Sequence, residues 1–428
     1  MIRVLHITPH MGGGVGRVLS GFASQTKKSN AYEHHYICLE QPEKRQFIDL
    51  FIDAGCHIII APTDDDLIAA VKTADIVQIE FWNHPILIHL LATVALPAMR
   101  TVFWCHSSGL HFPALSVALF EKAHRFVFTS ACSYESKEMR ALSIHNSEKL
   151  AMISSGGGLD LLPVADRSIS HKPLKAGYVG SLNFSKLHPD YVSLLLAAAS
   201  PDFKVHLIGD ETNREILEKQ CRELGQPELL DFCGYSKNVL EELNKLDLFI
   251  YLLNPTHYGT AEIALLEAMA MGVVPIVMDN SCESHIVEHG VTGFIVHNAE
   301  ELADVVGWLS SHDKERIEMA QEAASAVRKK YTYQRMEDEF NALYDGLLST
   351  EKRPIDFISV FGDRPADWFK SFVRDAECFS DDGHIQLPQG YIRHAMYEHS
   401  KGSVFHFQSY FKDDQLLNSW ADALEAMQ

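Results

Sequence analysis

Residues 258–277 read YGTAEIALLEAMAMGVVPIV, and the architecture of the chain can be worked out from this segment. Ile263 and Leu266 are spaced as on one face of a helix, and Gly272 stands where a helix commonly ends. Residues 273–277 are a short apolar run, typical of a strand that is covered on both faces of a parallel sheet. The sequence therefore predicts a loop, a helix, a turn and a buried strand, in the manner of an α/β fold.

One carboxylate, Glu267, stands inside this apolar helix between Leu266 and Ala268. Because an unpaired buried carboxylate is costly, a charge at this position needs either solvent or a partner. The residues alone leave two interpretations: a solvent-facing glutamate on an amphipathic helix, or a buried glutamate that binds a ligand.

Short apolar runs alternate with helical patterns along most of the chain, which indicates two parallel α/β sheets in succession. We predict one domain over residues 1–165 and a second over residues 172–348, joined by a Gly- and Pro-rich linker at 156–173 and closed by a helix at 335–348. Because ligands bind at the carboxyl ends of such strands, we expect a cleft for two substrates. The predicted strands are 3–8, 35–39, 57–61, 76–81, 101–106, 125–129 and 150–153 in the first domain, and 176–180, 204–208, 229–233, 248–252, 274–277 and 294–296 in the second.

Composition is that of an ordinary globular protein and argues against several functions. The 428 residues carry a formal net charge of −20, which argues against a general affinity for nucleic acid. The eight cysteines are scattered without a C-x-x-C pair, and no H-E-x-x-H spacing occurs, so we expect reduced thiols and no metal site. Residues 2–8 resemble a first strand rather than a secretory signal, and the longest near-uncharged run, 83–99, is too short to span a membrane. We therefore expect a cytoplasmic protein.

Residues 351–428 differ in character from the two α/β halves. Aromatic residues cluster at 368–369 and 405–411, and a helix is predicted over residues 413–427. The sequence assigns no chemistry to this C-terminal extension. We expect it to pack against one of the domains or to form a subunit interface.

The loop after the first strand, PHMGGGVG at residues 9–16, leads into an apolar helix. Gly13 and Gly14 let the backbone approach a ligand, and the start of a helix attracts an anion, so the loop predicts a phosphate site. The alternative is a dinucleotide fingerprint. Arg17 occupies its third glycine position, but Glu40, at the end of the second strand, stands where a ribose-binding acid would lie, so the alternative stays open.

Two further side chains are placed to act in the expected cleft. His106 ends an apolar strand, where it would donate a hydrogen bond to a hydroxyl or to developing charge; a structural loop histidine is the alternative. Lys186 follows Gly180 in the loop after the first strand of the second domain. It would neutralise a diphosphate there, unless it is simply solvated.

Five elements of the chain occur in the same order as in the retaining glycosyltransferases of family 4, which have the GT-B fold of two Rossmann-like domains. The chain resembles this family over residues 1–348, so we expect the GT-B fold. The last two elements are specific, whereas the glycine loop and the histidine alone would be weak signals. The elements are GGVGR at 13–17, the strand-end His106, Gly180 with Lys186, LLEAMAMGVVPIV at 265–277 and EHGVTGFIV at 288–296.

The resemblance implies a retaining transferase that takes a nucleotide-diphosphate sugar as its donor. In this family the carboxylate that matches Glu267 accepts hydrogen bonds from the ribose hydroxyls, which resolves the ambiguity about that residue. Attack on the front face lets the leaving phosphate accept the proton of the acceptor, so no metal and no cofactor are implied. The implied donor-binding residues are Gly13, Gly14, Lys186, Tyr258, Gly259, Thr260, Ala261, Glu262 and Glu267, and the implied catalytic residue is His106.

The chain departs from the family in two places. Gly259 stands where the first of the two motif glutamates belongs, and Glu262, although near, is out of register with it. Ser181 stands where a diphosphate-binding arginine belongs. Backbone N–H groups of residues 258–261, at the start of the following helix, are expected to supply part of what that arginine would provide.

The acceptor is the part of the reaction about which the sequence says least. Arg17, Glu80, Trp82 and His84 are expected acceptor contacts, with a structural role in their loops as the alternative. By analogy the acceptor is a hydroxyl of a glycan or a lipid-linked sugar in polysaccharide biosynthesis, with peripheral contact at the inner membrane face. The basic residues within 122–125 are few and are read as a solvated surface. A sugar-nucleotide epimerase and a catalytically degenerate scaffold are the alternative functions, and the oligomeric state is left open.

Overall fold

The structure is a computed structural model that describes residues 1–29, 31–42, 44–142, 147–163, 171–199, 203–386 and 398–427. Its strands are β1 (Ile2–Thr8), β2 (Tyr32–Cys38), β3 (His57–Ile60), β4 (Ile76–Phe81), β5 (Thr101–Cys105), β6 (Arg125–Phe128), β7 (Leu150–Met152), β8 (Ala176–Val179), β9 (Val205–Ile208), β10 (Leu230–Gly234), β11 (Leu248–Tyr251), β12 (Val274–Met278) and β13 (Phe294–Val296). Its helices are α1 (Gly13–Thr26), α2 (Gln46–Asp53), α3 (Asp64–Thr73), α4 (Pro85–Thr93), α5 (Val117–Lys122), α6 (Lys137–Leu142), α7 (Tyr191–Leu196), α8 (Arg214–Glu223), α9 (Val239–Asn244), α10 (Ile263–Ala270), α11 (Ser281–Ser284), α12 (Ala299–Ser311), α13 (Asp313–Lys330), α14 (Tyr333–Leu348), α15 (Ile358–Phe361), α16 (Pro365–Lys370), α17 (Val404–Tyr410) and α18 (Gln415–Glu425).

The predicted strands are all confirmed, and their ends differ from the prediction by at most three residues. They form two sheets in which every pairing between strands is parallel. One sheet has seven strands in the order β3-β2-β1-β4-β5-β6-β7, and the other has six in the order β10-β9-β8-β11-β12-β13. In each sheet the first strand of the chain segment lies inside, which is the doubly wound arrangement expected of an α/β fold.

The C-terminal unit comprises Gly158–His257 and Glu262–Thr332. Its core is built from the six-stranded sheet and the helices on it, with Leu265, Leu266 and Met269 of α10 fully or almost fully buried. Gly272 follows α10 with a backbone φ of 69°, which confirms the glycine predicted at the end of this helix.

The N-terminal unit comprises Met1–Gly157, Tyr258–Ala261 and Tyr333–Gln428, so it takes in α14. The prediction that a helix at 335–348 closes the second domain is therefore wrong. The physical reason is aromatic packing: the ring of Phe340 lies 5.6 Å from that of Phe22 and 4.9 Å from that of Trp104. These contacts tie α14 to the seven-stranded sheet.

The C-terminal extension shares the hydrophobic core of the N-terminal unit. Phe361, Phe369 and Trp420 are buried in the same cluster as Phe81 of β4 and Phe103 of β5. This packing confirms the expectation that residues 351–428 cover one of the domains. Because the cluster runs without a break from the sheet into the extension, we describe the extension as part of that unit and not as a third domain.

The cysteines and the helices bear on two further expectations. The eight cysteines are free thiols, as their scattered spacing predicted. Within the described ranges, the helices fall short of the combined length and apolar character that crossing a bilayer requires.

Replacing Gly21 by alanine tests the contact between α1 and α14. A Cβ at Gly21 would overlap the ring of Tyr333, and overpacking of this kind costs about 1–3 kcal/mol. We therefore expect Gly21→Ala to lower the thermal midpoint in calorimetry. Gly346→Ala in α14 is the control, because a Cβ there meets only Arg125 Nη2 at 3.9 Å and should be neutral or stabilise by up to about 1 kcal/mol. Equal stability of Gly21→Ala and the unmodified protein would contradict the packing.

Candidate active site

The glycine loop is positioned between β1 and α1. Gly13 begins α1 with a backbone φ of 58°, a conformation that glycine adopts readily, and nothing lies within 4 Å of a Cβ placed there. Gly16 is required for a different reason, because its Cβ would lie 2.7 Å from the backbone of Met11. Gly13 and Gly14 thus stand in the first turn of a fourteen-residue helix, where backbone N–H groups are available to an anion.

The structure also locates the residues of the dinucleotide alternative. Glu40 follows β2, and its carboxylate accepts a hydrogen bond from the hydroxyl of Tyr410 in α17. Arg17 lies one turn along α1, where its carbonyl accepts from Ser20 Oγ at 2.9 Å. Glu40 is therefore already engaged by the C-terminal extension, which weakens its assignment as a ribose-binding acid.

Glu80 faces into the unit and not toward solvent. Its side chain has no exposed surface, and its two oxygens accept hydrogen bonds from His106 Nε2 at 2.9 Å and His6 Nδ1 at 3.0 Å. Burial alone would raise the pKa of Glu80, but the hydrogen bonds from His106 and His6 outweigh it and lower that pKa. The expected contact between Glu80 and an acceptor does not fit this geometry, because the carboxylate is enclosed. His106, in contrast, keeps 6% of its side chain exposed.

Trp82 and His84 follow β4 in a cluster of rings that the C-terminal extension completes. The ring of Trp82 lies edge-on to that of His106, with 5.9 Å between centroids. The ring of His84 lies 4.9 Å from that of His406 and 5.6 Å from that of Tyr410, both in α17. The extension thus contributes side chains to the same group of residues as the expected acceptor contacts.

Lys401 brings a positive charge to this ring cluster. Its Nζ lies 2.9 Å from Nε2 of His10. Burial, and next the charge of Lys401, lowers the pKa of His10 to about 3 and that of His406 to about 4. Burial, together with the neighbouring histidines, lowers the pKa of His84 as well. These rings are therefore neutral near neutral pH.

Residues 258–261 make their described contacts inside the N-terminal unit. The carbonyl of Tyr258 accepts from the backbone N–H of Ser108 at 3.0 Å, two residues beyond His106. The hydroxyl of Thr260 lies 2.9 Å from that of Thr129. Both hydroxyls are buried. The segment predicted to contact the donor is thereby held by the loops that follow β5 and β6.

Glu262 precedes α10 and holds Lys186. Its backbone has φ 43° and ψ 59°, in the left-handed region that residues other than glycine rarely adopt. Its Oε2 accepts from Lys186 Nζ at 2.8 Å and from the hydroxyl of Tyr251 at 2.6 Å. Burial alone would raise the pKa of Glu262, but Lys186 and His257 outweigh it and lower that pKa. Lys186 was predicted to meet a diphosphate, and in this structure its ammonium is paired with a carboxylate.

His257 joins Glu262 to a second buried carboxylate, Glu283. Glu283 approaches Nε2 of the ring at 3.2 Å, and Glu262 approaches Nδ1 at 3.8 Å. Burial alone would lower the pKa of His257, but Glu283 and then Glu262 outweigh it and raise that pKa above 6.5. A doubly protonated ring places one N–H toward each carboxylate.

The same three side chains have the composition of a metal site, and their donor atoms lie within 4.8 Å of one another. However, the two carboxylates face different nitrogens of the His257 ring. A single ion bound to one nitrogen would therefore lie beside one of the carboxylates and on the far side of the ring from the other. With Lys186, two cations balance two anions, so this geometry fits a protonated histidine better than a metal centre.

Glu267 is buried in α10, with 8% of its surface exposed. The interpretation of Glu267 as a solvent-facing residue of an amphipathic helix is therefore wrong. Leu266 and Ala268, on either side of it, are also buried. A buried carboxylate of this kind can discriminate for a ligand diol.

Ser181, at the position of the missing arginine, belongs to a tight turn. Its carbonyl accepts from the hydroxyl of Tyr178 at 2.8 Å, and its Oγ accepts from the backbone N–H of Asn183 at 3.2 Å. Asp210 lies beside this turn and accepts from the backbone N–H of Leu182 at 3.3 Å. Where the family carries a guanidinium, the loop after β8 therefore carries a serine, and the carboxylate of Asp210, from the loop after β9, lies beside it.

Several residues of these networks were not anticipated from the sequence. His257 lies in the loop between β11 and α10, next to the quoted segment, and Glu283 lies in α11 shortly after β12, so their places on the carboxyl side of inner strands were a usable signal. Lys401 and His406 lie in the C-terminal extension, about which the sequence carried no such signal. The residues that the sequence did not predict are Tyr251, His257, Glu283, Lys401, His406 and Tyr410.

Residues 165–326 match the protein family described as Glycosyl transferases group 1. This segment is a group 1 glycosyltransferase domain. The glycosyltransferase domain contains α10 with Glu267, and the network of Lys186, Glu262 and Glu283. N-acetyl-alpha-D-glucosaminyl L-malate synthase of Bacillus anthracis is 26% identical to the chain over 153 residues, which are 35% of this chain and 39% of that protein.

Solved structures with the same fold extend the similarity beyond the glycosyltransferase domain. Alr3699/HepE of Anabaena, crystallised with UDP and glucose, has a TM-score of 0.64 at 14% identity, covering 81% of this chain and 100% of that chain. A glycosyltransferase from Rickettsia africae has a TM-score of 0.63 at 15% identity, covering 82% and 99%. The lipopolysaccharide outer core galactosyltransferase WaaB has a TM-score of 0.58 at 16% identity, covering 81% and 100%. At these identities the likeness shows the fold, which is GT-B as the sequence predicted.

Removing Lys186 is expected to destabilise the C-terminal unit. The side chain of Lys186 is 17% exposed and that of Glu262 is fully buried, and breaking a buried pair costs about 3–5 kcal/mol. Lys186→Met should therefore lower the thermal midpoint. The double variant Lys186→Met/Glu262→Gln should recover most of the loss, because no charge is then left alone.

Lys204→Met is the control for this cycle, because Lys204 pairs with Glu228 at the surface and such pairs contribute about 0–1 kcal/mol. Calorimetry of the single and double variants measures the coupling between Lys186 and Glu262. Strictly additive effects of the two substitutions would contradict the pairing.

The network around His257 also makes stability depend on pH. A raised histidine pKa contributes stability that is complete below the ordinary value of 6.5 and is lost as pH rises through the folded-state pKa. A lowered glutamate pKa contributes stability that is present above the ordinary value of 4.5 and is lost on acidification. We expect the free energy of unfolding of the unmodified protein to exceed that of His257→Gln by more at about pH 6 than at about pH 9. A pH-independent difference in denaturant titrations would contradict the proposed protonation of His257.

Proposed function

We propose that the chain is a retaining glycosyltransferase that moves a sugar from a nucleotide-diphosphate sugar to a hydroxyl acceptor. The observation that carries the proposal is Glu267, a glutamate buried inside the apolar helix of a group 1 glycosyltransferase domain. The resemblance to family 4 assigns the matching carboxylate to the ribose hydroxyls of the nucleotide, and a buried charged acceptor discriminates strongly for such a diol. The donor is proposed to be a UDP-sugar, because Alr3699/HepE, which shares the fold, was crystallised with UDP and glucose.

Each unit is proposed to contribute one set of contacts. In the C-terminal unit Glu267 binds the ribose and Lys186 binds the diphosphate, so the diphosphate competes with Glu262 for the ammonium. In the N-terminal unit Gly13, Gly14 and residues 258–261 are proposed as further contacts of the donor. His106 is the proposed catalytic residue that reaches the sugar.

The leaving diphosphate is proposed to take the proton of the attacking hydroxyl. The front-face geometry expected from the family requires neither a nucleophilic side chain nor a metal or cofactor. The ammonium of Lys186 and the backbone N–H groups at the start of α10 would stabilise the charge that develops on the leaving group.

The acceptor is proposed to be a hydroxyl of a glycan or a lipid-linked sugar, at the cytoplasmic face of a membrane and with peripheral contact. Trp82 and Arg17 are the proposed contacts. The side chain of His84 is only 1% exposed, so the expected direct contact does not fit it any better than it fits Glu80; His84 instead packs against His406 and Tyr410 of the extension. Aromatic and neutral imidazole rings suit a sugar, because they combine an apolar face with hydrogen-bonding edges.

Three features favour an alternative, a GT-B scaffold protein without catalytic activity. Ser181 replaces the expected arginine, Asp210 lies beside it, and Lys186 is paired with Glu262. Together these features reduce the positive charge available to a diphosphate. The scaffold therefore predicts that no nucleotide diphosphate binds, whereas the transferase predicts that one does.

Substitution of Glu267 separates these alternatives. We expect UDP to bind the unmodified protein in calorimetric titrations, and Glu267→Gln to weaken binding about 10–100-fold, because a charged acceptor of two hydroxyl groups is lost. Glu337→Gln is the matched control, since Glu337 is also 8% exposed but lies outside residues 165–326. 2′-Deoxy-UDP should bind the unmodified protein more weakly than UDP does, and that preference should shrink in Glu267→Gln.

The outcomes of this titration are distinct. Equal affinity of Glu267→Gln and the unmodified protein for UDP would remove Glu267 from the ribose site. Absence of any shift in thermal midpoint with UDP, GDP or ADP and their sugars would support the scaffold, since a ligand that binds the native state raises its apparent stability. Mass analysis of the products then distinguishes transfer, which changes the mass of an acceptor, from epimerisation, which yields an isomer of the nucleotide sugar.

A further inference from the structure

A network of buried, hydrogen-bonded polar side chains crosses the N-terminal sheet and ends at His106. Its members lie on neighbouring strands: His34 on β2, His6 on β1, Glu80 on β4, and His106 directly after β5. His34 Nδ1 lies 2.8 Å from His6 Nε2, His6 Nδ1 lies 3.0 Å from Glu80 Oε1, and Glu80 Oε2 lies 2.9 Å from His106 Nε2. Nothing in the sequence motifs explains why an apolar sheet should contain this network of polar side chains.

The hydrogens that Glu80 and its neighbours can carry determine which group donates in each hydrogen bond of the network. Glu80 is ionised, since the hydrogen bonds it accepts keep its pKa low, and a carboxylate can only accept. Both His6 Nδ1 and His106 Nε2 must therefore carry a hydrogen and donate it. Gln78 donates to Glu80 as well, from Nε2 at 3.0 Å, and its own Oε1 is oriented by the hydroxyl of Tyr344.

The hydrogen bond between His6 and His34, at the other end of the network, is consistent with this direction. With its hydrogen on Nδ1, a neutral His6 has a lone pair at Nε2, which accepts from Nδ1–H of His34. Burial, and next the neighbouring His6, keeps the pKa of His34 well below its ordinary value, so that ring is neutral. The remaining nitrogen of His34, Nε2, is buried and has no hydrogen-bond partner among the described residues. Each imidazole ring of the network therefore needs a hydrogen on only one of its nitrogens, and none of these hydrogen bonds requires a positively charged ring.

The ring of His106 is also held in place by its surroundings. Its backbone N–H donates to the carbonyl of Phe81 at 2.8 Å. The ring of Trp104 lies 4.9 Å away and that of Trp82 lies 5.9 Å away. Within the described part of the chain, Nε2 is the ring nitrogen of His106 for which the structure gives a hydrogen bond, and Nδ1 has none.

We infer that Glu80 is a positioning residue that fixes His106 in the tautomer with hydrogen on Nε2, so that Nδ1 is presented to a substrate hydroxyl as a hydrogen-bond acceptor. This inference rests on the proposed function, because it assigns His106 to the sugar. It reverses the expectation from sequence that His106 donates a hydrogen bond. A site built around an acceptor selects for a hydroxyl, which can donate, and disfavours a deoxy sugar, which leaves the nitrogen unpaired.

Nuclear magnetic resonance of histidine labelled with heavy nitrogen tests the tautomer directly and needs no substrate. His106→Gln identifies the signals of the ring. We expect the unmodified protein near neutral pH to show His106 with hydrogen on Nε2 alone, and Glu80→Gln to show a mixture of both tautomers, because an amide can also donate. Hydrogen on Nδ1 in the unmodified protein, whether alone or on a doubly protonated ring, would overturn the inference. Unchanged His106 signals in Glu80→Gln would overturn it too.

Two further variants control for structural damage. Glu33→Gln alters another carboxylate–histidine pair, with His35 on β2, and should leave the His106 signals unchanged. Glu80→Asp retains the charge but shortens the side chain. If Glu80→Gln fails to fold, Glu80→Asp should fold with hydrogen still on Nε2 of His106, and a mixture of tautomers there would overturn the inference.

Kinetics supply a second readout that a purely structural role would not produce. With UDP-glucose as the probe and water as the acceptor, Glu80→Gln should lower kcat by about tenfold or more with little change in KM. The affinity for UDP should stay the same, because Glu267 and Lys186 are untouched. Equal losses in kcat and in UDP affinity would indicate general damage and overturn the positioning role.

Failure of the proposed function gives a different pattern. If the unmodified protein neither binds UDP nor hydrolyses UDP-glucose, the transferase proposal fails, while the tautomer of His106 still decides the role of Glu80. If UDP binds and depends on Glu267, but Glu80→Gln leaves both kcat and the tautomer unchanged, the transferase stands and the inference fails.

Discussion

A carboxylate buried away from water must receive hydrogen bonds or a cation, and this requirement organises the chemistry-bearing residues of both units. Glu80, near the end of β4, receives hydrogen bonds from His6, Gln78 and His106. Glu262, between β11 and α10, receives them from Lys186 and Tyr251. In each unit the carboxylate lies at the carboxyl side of an inner strand, where parallel sheets place their functional loops. Its partners are thereby held in one arrangement before any substrate arrives.

The two carboxylates differ in what they hold. Glu80 accepts hydrogen bonds from two imidazoles and an amide, so it determines which nitrogen of each imidazole carries a hydrogen. Its own negative charge is not balanced by a cation among these three partners. Glu262 meets an ammonium and belongs with His257 and Glu283 to a group whose charges balance. The first arrangement suits hydrogen bonding to neutral hydroxyls. The second keeps a lysine near the start of α10 without leaving an unpaired charge in the interior.

The C-terminal extension is more than a cover for the first sheet. Its aromatic residues merge with the core around Phe81 and Phe103, which anchors it over a large apolar area. From this anchor, α17 presents His406 and Tyr410 beside His84. The extension begins outside residues 165–326, the segment that matches the glycosyltransferase family, and its contribution to an acceptor site is part of our proposal.

The sequence by itself determined the strands, the helix α10 and the parallel α/β class, because apolar periodicity and glycine stops are local signals that short segments carry unaided. It also identified Glu267 as a residue needing explanation, since one charge in an apolar helix is visible without a structure. Only the tertiary structure assigned α14 to the N-terminal unit, enclosed Glu80 between His6 and His106, and paired Lys186 with Glu262. Those outcomes depend on contacts between residues from 26 to more than 300 positions apart. Such contacts are selected by packing and charge pairing in the folded chain, and no local pattern encodes them.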